Sequence, residues 1–224
     1  MNHVQVEEHL RKEGCEDITG ELARIVIDEV LTWKVEEYCS ADDASAIIAF
    51  SYGFRFDENG NRIPGPVNEA LAQCVLDTYT KKNVPVFAQW EIAQCLRGKI
   101  PDERLKNIVP EKNIPEGNVV YLSSEGVVKS AMALGMQTQL YPSVLVVAHS
   151  LHLVRCLRIV VSFGFFARSM QGSMPKECDI GSGQLWTADR LTGIISDMIS
   201  RLAAYRKNVL YPKLQERKKT VTGS

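Results

Sequence analysis

Short apolar runs rich in β-branched residues alternate with amphipathic stretches along most of this chain. The clearest run, residues 144–148 (Val-Leu-Val-Val-Ala), stops at a polar turn, His149-Ser150-Leu151-His152. Leu153, Leu157, Val160 and Val161 then recur at helical spacing. A continuous apolar run bounded by turn residues predicts a strand buried on both faces. Three further runs follow the same plan: 46–50 runs into Ser51-Tyr52-Gly53, 84–88 into Gln89-Trp90-Glu91, and 119–122 into Ser123-Ser124-Glu125. A fifth strand is predicted over 163–167. Helices are predicted over 70–79, from Gln89 onward, over 127–136 and 151–161, and over 186–205 with Leu191, Ile194, Ile195, Met198 and Leu202 facing inward. Strand-then-helix repetition predicts an α/β protein: a Rossmann-like three-layer sandwich with a mainly parallel sheet and right-handed crossovers.

Residues 4–40 have a different character. Leu22, Ile25, Val26, Val30 and Trp33 recur at three- and four-residue steps among acidic neighbours, which predicts an amphipathic helix. It leans either on the sheet or on a second copy of the chain. The predicted division is an N-terminal helical extension, 1–43, and an α/β domain, 44–224. Asn59-Gly60 signals a turn or small hairpin, and Pro64-Gly65-Pro66 delays the next helix until after it. The proline-rich segment 100–117 reads as a loop-rich crossover, and 171–184 as a glycine-rich loop.

Composition narrows the partners. With 26 basic and 27 acidic residues, a net charge of -1, the chain has no global field for nucleic acid or anionic lipid. Only 213–219 is locally basic, and a solvated terminus accounts for it. The opening residues lack a signal peptide's apolar core, and no apolar run is long enough to cross a bilayer. The expected location is the cytoplasm, with neither nucleic acid nor membrane as partner. Six scattered cysteines, none in a Cys-x-x-Cys pair, read as reduced thiols packed like small hydrophobes.

Four strand exits should gather on one edge of the sheet, each polar after an apolar run, and that edge is where open parallel sheets bind ligands. Glu91 is a candidate general base or an acceptor for a ribose hydroxyl, and His152 a second candidate catalytic group. Arg155, one turn on, can fork onto a phosphate or carboxylate, or else pair with Glu91 or Glu125. Ser51, Gly53, Ser123, Glu125 and His149 complete the candidate ligand-binding set. The three-residue spacing of His149 and His152 lacks a third histidine nearby, so no metal site is assigned. Gly-x-Ser-x-Gly, Gly-x-Gly-x-x-Gly and Walker patterns are all missing.

His152 and Arg155 after an apolar strand, followed by Gly164, resemble the closing motif of the YdcF, ElyC and SanA-like domain family. The first strand with Gly53 is similar to that family's opening, Glu91-Ile92-Ala93 to its Ser-Glu-Ala segment, and Trp186 with the last helix to its tail. The chain departs from the family at Ala88-Gln89-Trp90, where a glycine pair is usual, at Ser123 to Lys129, where Ser-x-Asn-Thr is usual, and at Asn68, where arginine is usual. The resemblance covers 44–211 and implies a Rossmann-like fold with a pocket at the strand ends. For some members it also implies a nucleotide-like ligand such as S-adenosylmethionine and a link to the bacterial cell envelope. Two functional readings follow. One is a protein, enzyme or not, that binds a small nucleotide-like or phosphorylated ligand with Glu91, His152 and Arg155. The other is a non-catalytic scaffold that self-assembles through its N-terminal helix.

Overall fold

The computed structural model describes residues 3–14, 19–33, 35, 43–110, 121–170 and 174–215. They form two compact units, one of residues 1–32 with 194–224 and one of residues 33–193. The last helix is therefore grouped with the N-terminal segment.

The larger unit is α/β. Its sheet contains five parallel strands: β1 (Ala46–Ala49), β4 (Val86–Gln89), β5 (Leu105–Ile108), β6 (Ser143–Val147) and β7 (Phe166–Arg168), in spatial order β5-β4-β1-β6-β7. β1 lies at the centre, with Ile47 opposite both Val86 and Leu145. Ile47, Ile48, Val86, Phe87, Leu145 and Val146 are fully buried. Helices on both sheet faces explain why these strands read as unbroken apolar runs. α3 (Pro66–Lys81) packs on α4 (Trp90–Leu96), and α5 (Ser124–Ala133) on α6 (Leu153–Ser162). The Rossmann-like architecture is as the strand-helix alternation predicts.

Several local features differ from expectation. α3 starts at Pro66 itself, because a proline at the first helical position sacrifices an N–H that has no partner there anyway. The 100–117 segment contains a strand, β5, at the edge of the sheet. Its residues Leu105, Lys106 and Asn107 are only half-buried, so its sequence lacks a core strand's apolar signature. Of the predicted strand 119–122, the first two residues lie outside those described, and Tyr121 and Leu122 are in coil. Asn59-Gly60 turns a small hairpin, as its turn chemistry predicts, with β2 (Arg55–Phe56) antiparallel to β3 (Arg62–Ile63). The predicted helix over 186–205 is split by Asp189 into α7 (Leu185–Ala188) and α8 (Arg190–Tyr205), and the Asp189 carboxylate accepts the Thr192 N–H at 3.0 Å.

The smaller unit contains α1 (His3–Lys12), α2 (Thr19–Arg24) with a π-helical continuation (Ile25–Val30), and α8 from Ile194 on. Inside it Asp197 and Arg201 are buried as an ion pair, with Nε donating to Oδ2 at 2.6 Å. Arg201 Nη1 also donates to the Thr32 carbonyl. Arg24 reaches the Tyr205 hydroxyl at 3.4 Å, and Lys213 pairs with Glu21 at 3.8 Å. The N-terminal stretch thus leans on the chain's own last helix. This pairing turns α8: Asp197 and Arg201 take the inner face, and Leu191, Ile195 and Leu202, expected inside, are exposed, with Ile194 and Met198 half-buried. Among the described residues no helix is long and apolar enough to cross a membrane.

Candidate functional site

The crossover after β1 leads towards β4, whereas the one after β6 leads towards β7, so the strand order reverses between β1 and β6. In doubly wound sheets that point opens a crevice at the carboxyl ends of the strands. Here the exit of β1 is held by polar side chains that satisfy the turning backbone. Gln89 Oε1 accepts the Ser51 N–H at 2.8 Å. Asn68, fully buried in the first turn of α3, accepts the Tyr52 N–H at 2.9 Å and donates to the Gly53 carbonyl at 2.8 Å.

The crevice is occupied by the chain itself. Tyr52 stacks on His149 with ring centroids 4.0 Å apart and meets His152 edge-on at 5.1 Å. His149 is fully buried. Its Nδ1 accepts the Leu151 N–H at 3.3 Å, which leaves the proton on Nε2 to donate to the Glu177 carbonyl at 3.1 Å. Burial pushes its pKa down to about 4, so the ring is neutral near pH 7. These contacts make His149 a fastening for the segment 174–187. The Ser150 N–H bonds the Pro175 carbonyl in the same place, at 3.0 Å.

That segment continues across the β2–β3 hairpin as a strap. Arg55 forks onto Asp179 at 2.9 and 2.6 Å, and the Gly183 N–H donates to the Phe54 carbonyl at 2.7 Å. The Arg55 guanidinium holds the Asp179 carboxyl below its usual range. Gly53 lies under the strap, with a φ of +79°, and a Cβ there would sit 2.5 Å from the hydroxyls of Ser182 and Thr187. It serves the packing of the strap. Gly53→Ala should cost about 2–4 kcal/mol through backbone strain and the clash together, measured by urea denaturation. A loss below about 0.5 kcal/mol would show that the strap yields freely.

His152 stands at the N-cap of α6, with Nδ1 3.4 Å from Arg155 Nη2. Arg155 Nη1 donates to the Ser124 hydroxyl at 2.7 Å, so this arginine ties α6 to α5. Ser123 caps α5, its hydroxyl accepting the Gly126 N–H at 3.1 Å, and Glu125 pairs outward with Lys129 at 2.7 Å.

On the β4 side of β1 a second cluster forms around Glu91. This residue lies in the first turn of α4 and is fully buried. Neither of its carboxylate oxygens has a hydrogen-bond partner at good geometry among the described residues. Burial pushes its pKa up to about 7; its own backbone N–H, the nearby hydroxyls of Tyr121 and Ser51, and the charge of Arg62 oppose the rise. Those two hydroxyls bond each other at 2.6 Å. Burial and the neighbouring Glu91 charge hold the Tyr121 phenol well above its usual range. Phe54 backs the cluster, 6.2 Å from the Tyr121 ring, and the Arg62 guanidinium lies 4.7 Å over its face. The arrangement offers a carboxyl poised between its two protonation states beside two hydroxyls, a set suited to exchanging a proton or accepting a ligand's hydroxyl groups.

Glu91 and Ser51 thus meet in one cluster, whereas His149, His152 and Arg155 are engaged in the crevice and between α5 and α6. Tyr121, Arg62, Asn68 and the Arg55–Asp179 fork were not singled out from sequence as site residues. For Tyr121 a signal existed: its place immediately before the polar exit of a predicted strand. Among the described residues no three His, Cys, Asp or Glu side chains are grouped to hold a metal. The described cysteines Cys74, Cys95, Cys156 and Cys178 are free thiols, and Cys15 and Cys39 lie outside the described residues. Comparisons with models of known protein families, with curated proteins and with solved structures find no match for this chain.

Proposed function

We propose that this chain is a cytoplasmic protein, akin to the YdcF-like domains, that binds a small nucleotide-like or phosphorylated ligand at the carboxyl edge of its sheet. Glu91 is the centre of that site. The carrying observation is its buried carboxyl, neither oxygen of which has a hydrogen-bond partner at good geometry among the described residues. Leaving such a group unsatisfied costs about 1–3 kcal/mol, a penalty that a ligand's hydroxyl or amino protons would remove. Sugar hydroxyls fit a carboxylate acceptor flanked by Ser51 and Tyr121, and Arg62 supplies positive charge for a phosphate nearby. In an enzymatic version of this reading Glu91 is the general base, since a carboxyl titrating at about 7 can both take and return a proton at neutral pH.

A thermal-shift screen of nucleotides, S-adenosylmethionine and sugar phosphates tests this. A ligand present at a hundred times its Kd should raise stability by about 2.7 kcal/mol, or roughly 5–10 °C in Tm. The shift should disappear in Glu91→Gln, measured against that variant's own baseline. A shift that survives intact in Glu91→Gln, or a screen with no shift at all, overturns the proposal. Ser51→Ala and Tyr121→Phe should each weaken the same ligand by about tenfold, the effect of one lost hydrogen bond to a charged partner.

A further inference from the structure

Glu91 has no surface exposed to water, so a ligand reaches it only when part of the surrounding wall moves. β1, β4 and α4 belong to the packed core, with Ile48, Ala49, Ala88 and Ile92 wholly enclosed. The β2–β3 hairpin does not. Phe54, at its foot, backs the Glu91 cluster, and Arg62 lies over the Phe54 ring with a charge that reaches Glu91. Yet the hairpin is a separate sheet with two residues in each strand, a size that has little stability of its own.

Its attachments are few and lie on one side. Among the described residues, the hydrogen bonds and ion pairs that 54–63 makes beyond the hairpin run to the strap. The Gly183 N–H and the Ser182 hydroxyl donate to the Phe54 carbonyl, and Arg55 forks onto Asp179. The strap itself is moored to the exit of β6 through the carbonyls of Pro175 and Glu177. At the feet of the hairpin Asn68 fixes the Gly53 carbonyl and Pro66 begins α3, so the part free to swing lies between Gly53 and Gly65. Of its ties the fork is the strongest, because it alone is charge-assisted and bidentate.

We infer that the β2–β3 hairpin is a hinged cover over the Glu91 site and that the Arg55–Asp179 fork is its latch. The cover opens when Arg55 leaves Asp179, admits a ligand to Glu91, Ser51 and Tyr121, and closes again with Phe54 and Arg62 against it, excluding water. This regulation rests on the ligand-binding reading of the site given above. The fork is built to part reversibly. The Arg55 side chain is already 44 % exposed and rehydrates at little cost, whereas Asp179, 4 % exposed, keeps the Gly181 N–H at 3.0 Å and stays with the strap.

Labelling of the full chain with a water-soluble carbodiimide and glycinamide, read residue by residue by mass spectrometry, tests this without a ligand. Asp179→Asn and Arg55→Gln should each speed the labelling of Glu91 about tenfold, the effect of one lost charge-assisted tie, while the buried Asp197 of the smaller unit keeps its wild-type rate. The double variant should label no faster than either single one, since all three break the same fork. If Asp179→Asn loosens the whole chain and speeds Asp197 as well, Arg55→Gln, a change at a half-exposed side chain, decides. Unchanged labelling of Glu91 in Arg55→Gln, or rates that multiply in the double variant, overturns the inference. A ligand found by the thermal-shift screen should associate faster with Arg55→Gln by a similar factor; association at the wild-type rate overturns the cover and leaves the site standing. Faster labelling with no ligand in the screen upholds the cover and removes the ligand-binding reading.

Discussion

At pH 8 the Glu91→Gln protein should be more stable than the wild type by about 3 kcal/mol, and the advantage should vanish below pH 4.5. Glu91 titrates at about 7 in the folded protein against 4.5 when exposed. Between those values the folded state keeps a proton that the unfolded chain has released. Wild-type stability contributed by this group is therefore fully present below pH 4.5 and is lost as pH rises through 7. His149 works in the opposite direction over almost the same window. Its folded pKa of about 4 lies below the ordinary 6.5, so its contribution is present above 6.5 and lost as pH falls through 4. The two effects, each about 3 kcal/mol, nearly cancel, and the wild type should show a flat stability profile from pH 4.5 to 6.5. Removing Glu91 exposes the His149 slope, so Glu91→Gln should gain stability steadily across that range. Urea denaturation at pH 4.5, 5.5, 6.5 and 8 checks this. A variant profile running parallel to the wild type would mean that Glu91 titrates near its ordinary value and has water or another partner at its carboxyl.

Asp197→Ala should destabilise the smaller unit by about 3–5 kcal/mol, because it leaves the Arg201 guanidinium buried without its carboxylate. Both side chains are almost wholly enclosed, so water can replace little of what is removed. The double replacement Asp197→Leu with Arg201→Met should recover most of that loss, since paired charges of this kind are often no better than apolar side chains of similar volume. Guanidinium denaturation of the three proteins supplies the comparison. If Asp197→Ala alone costs under about 1 kcal/mol, the pair is behaving like a solvated surface bridge.

What was legible in the sequence follows from where each residue's partners lie along the chain. The runs at Ile47-Ile48 and Val144 to Val147 announced central strands because burial on both faces demands apolar side chains at every position. Leu105 to Ile108 concealed an edge strand, since a half-exposed position tolerates Lys106 and Asn107. Glu91 and Ser51 could be nominated for one edge because parallel topology forces strand exits together. The roles of His149 and Arg155 could not be read, because their partners, the Glu177 carbonyl and the Ser124 hydroxyl, are ordinary groups about 30 residues away with no recognisable spacing. The orientation of α8 failed for a related reason. Its helical period was correct, but a buried Asp197–Arg201 pair mimics the polar face of an amphipathic helix and reverses which side is taken for the interior.

The central place of β1 also sets the order in which the polypeptide can assemble. Its two neighbours come from residues 86–89 and 143–147, so during synthesis this strand can pair early on one flank only, and the other must wait for nearly a hundred further residues. Pairings this distant fold slowly and expose unfilled edges meanwhile. The smaller unit waits longer still, because residues 1–32 find their packing partners in 194–224, and emerge from the ribosome well before them. Arg24 and Thr32 are synthesised long before their partners Tyr205 and Arg201, and a nascent chain halted before residue 194 should hold α2 open to proteases and chaperones.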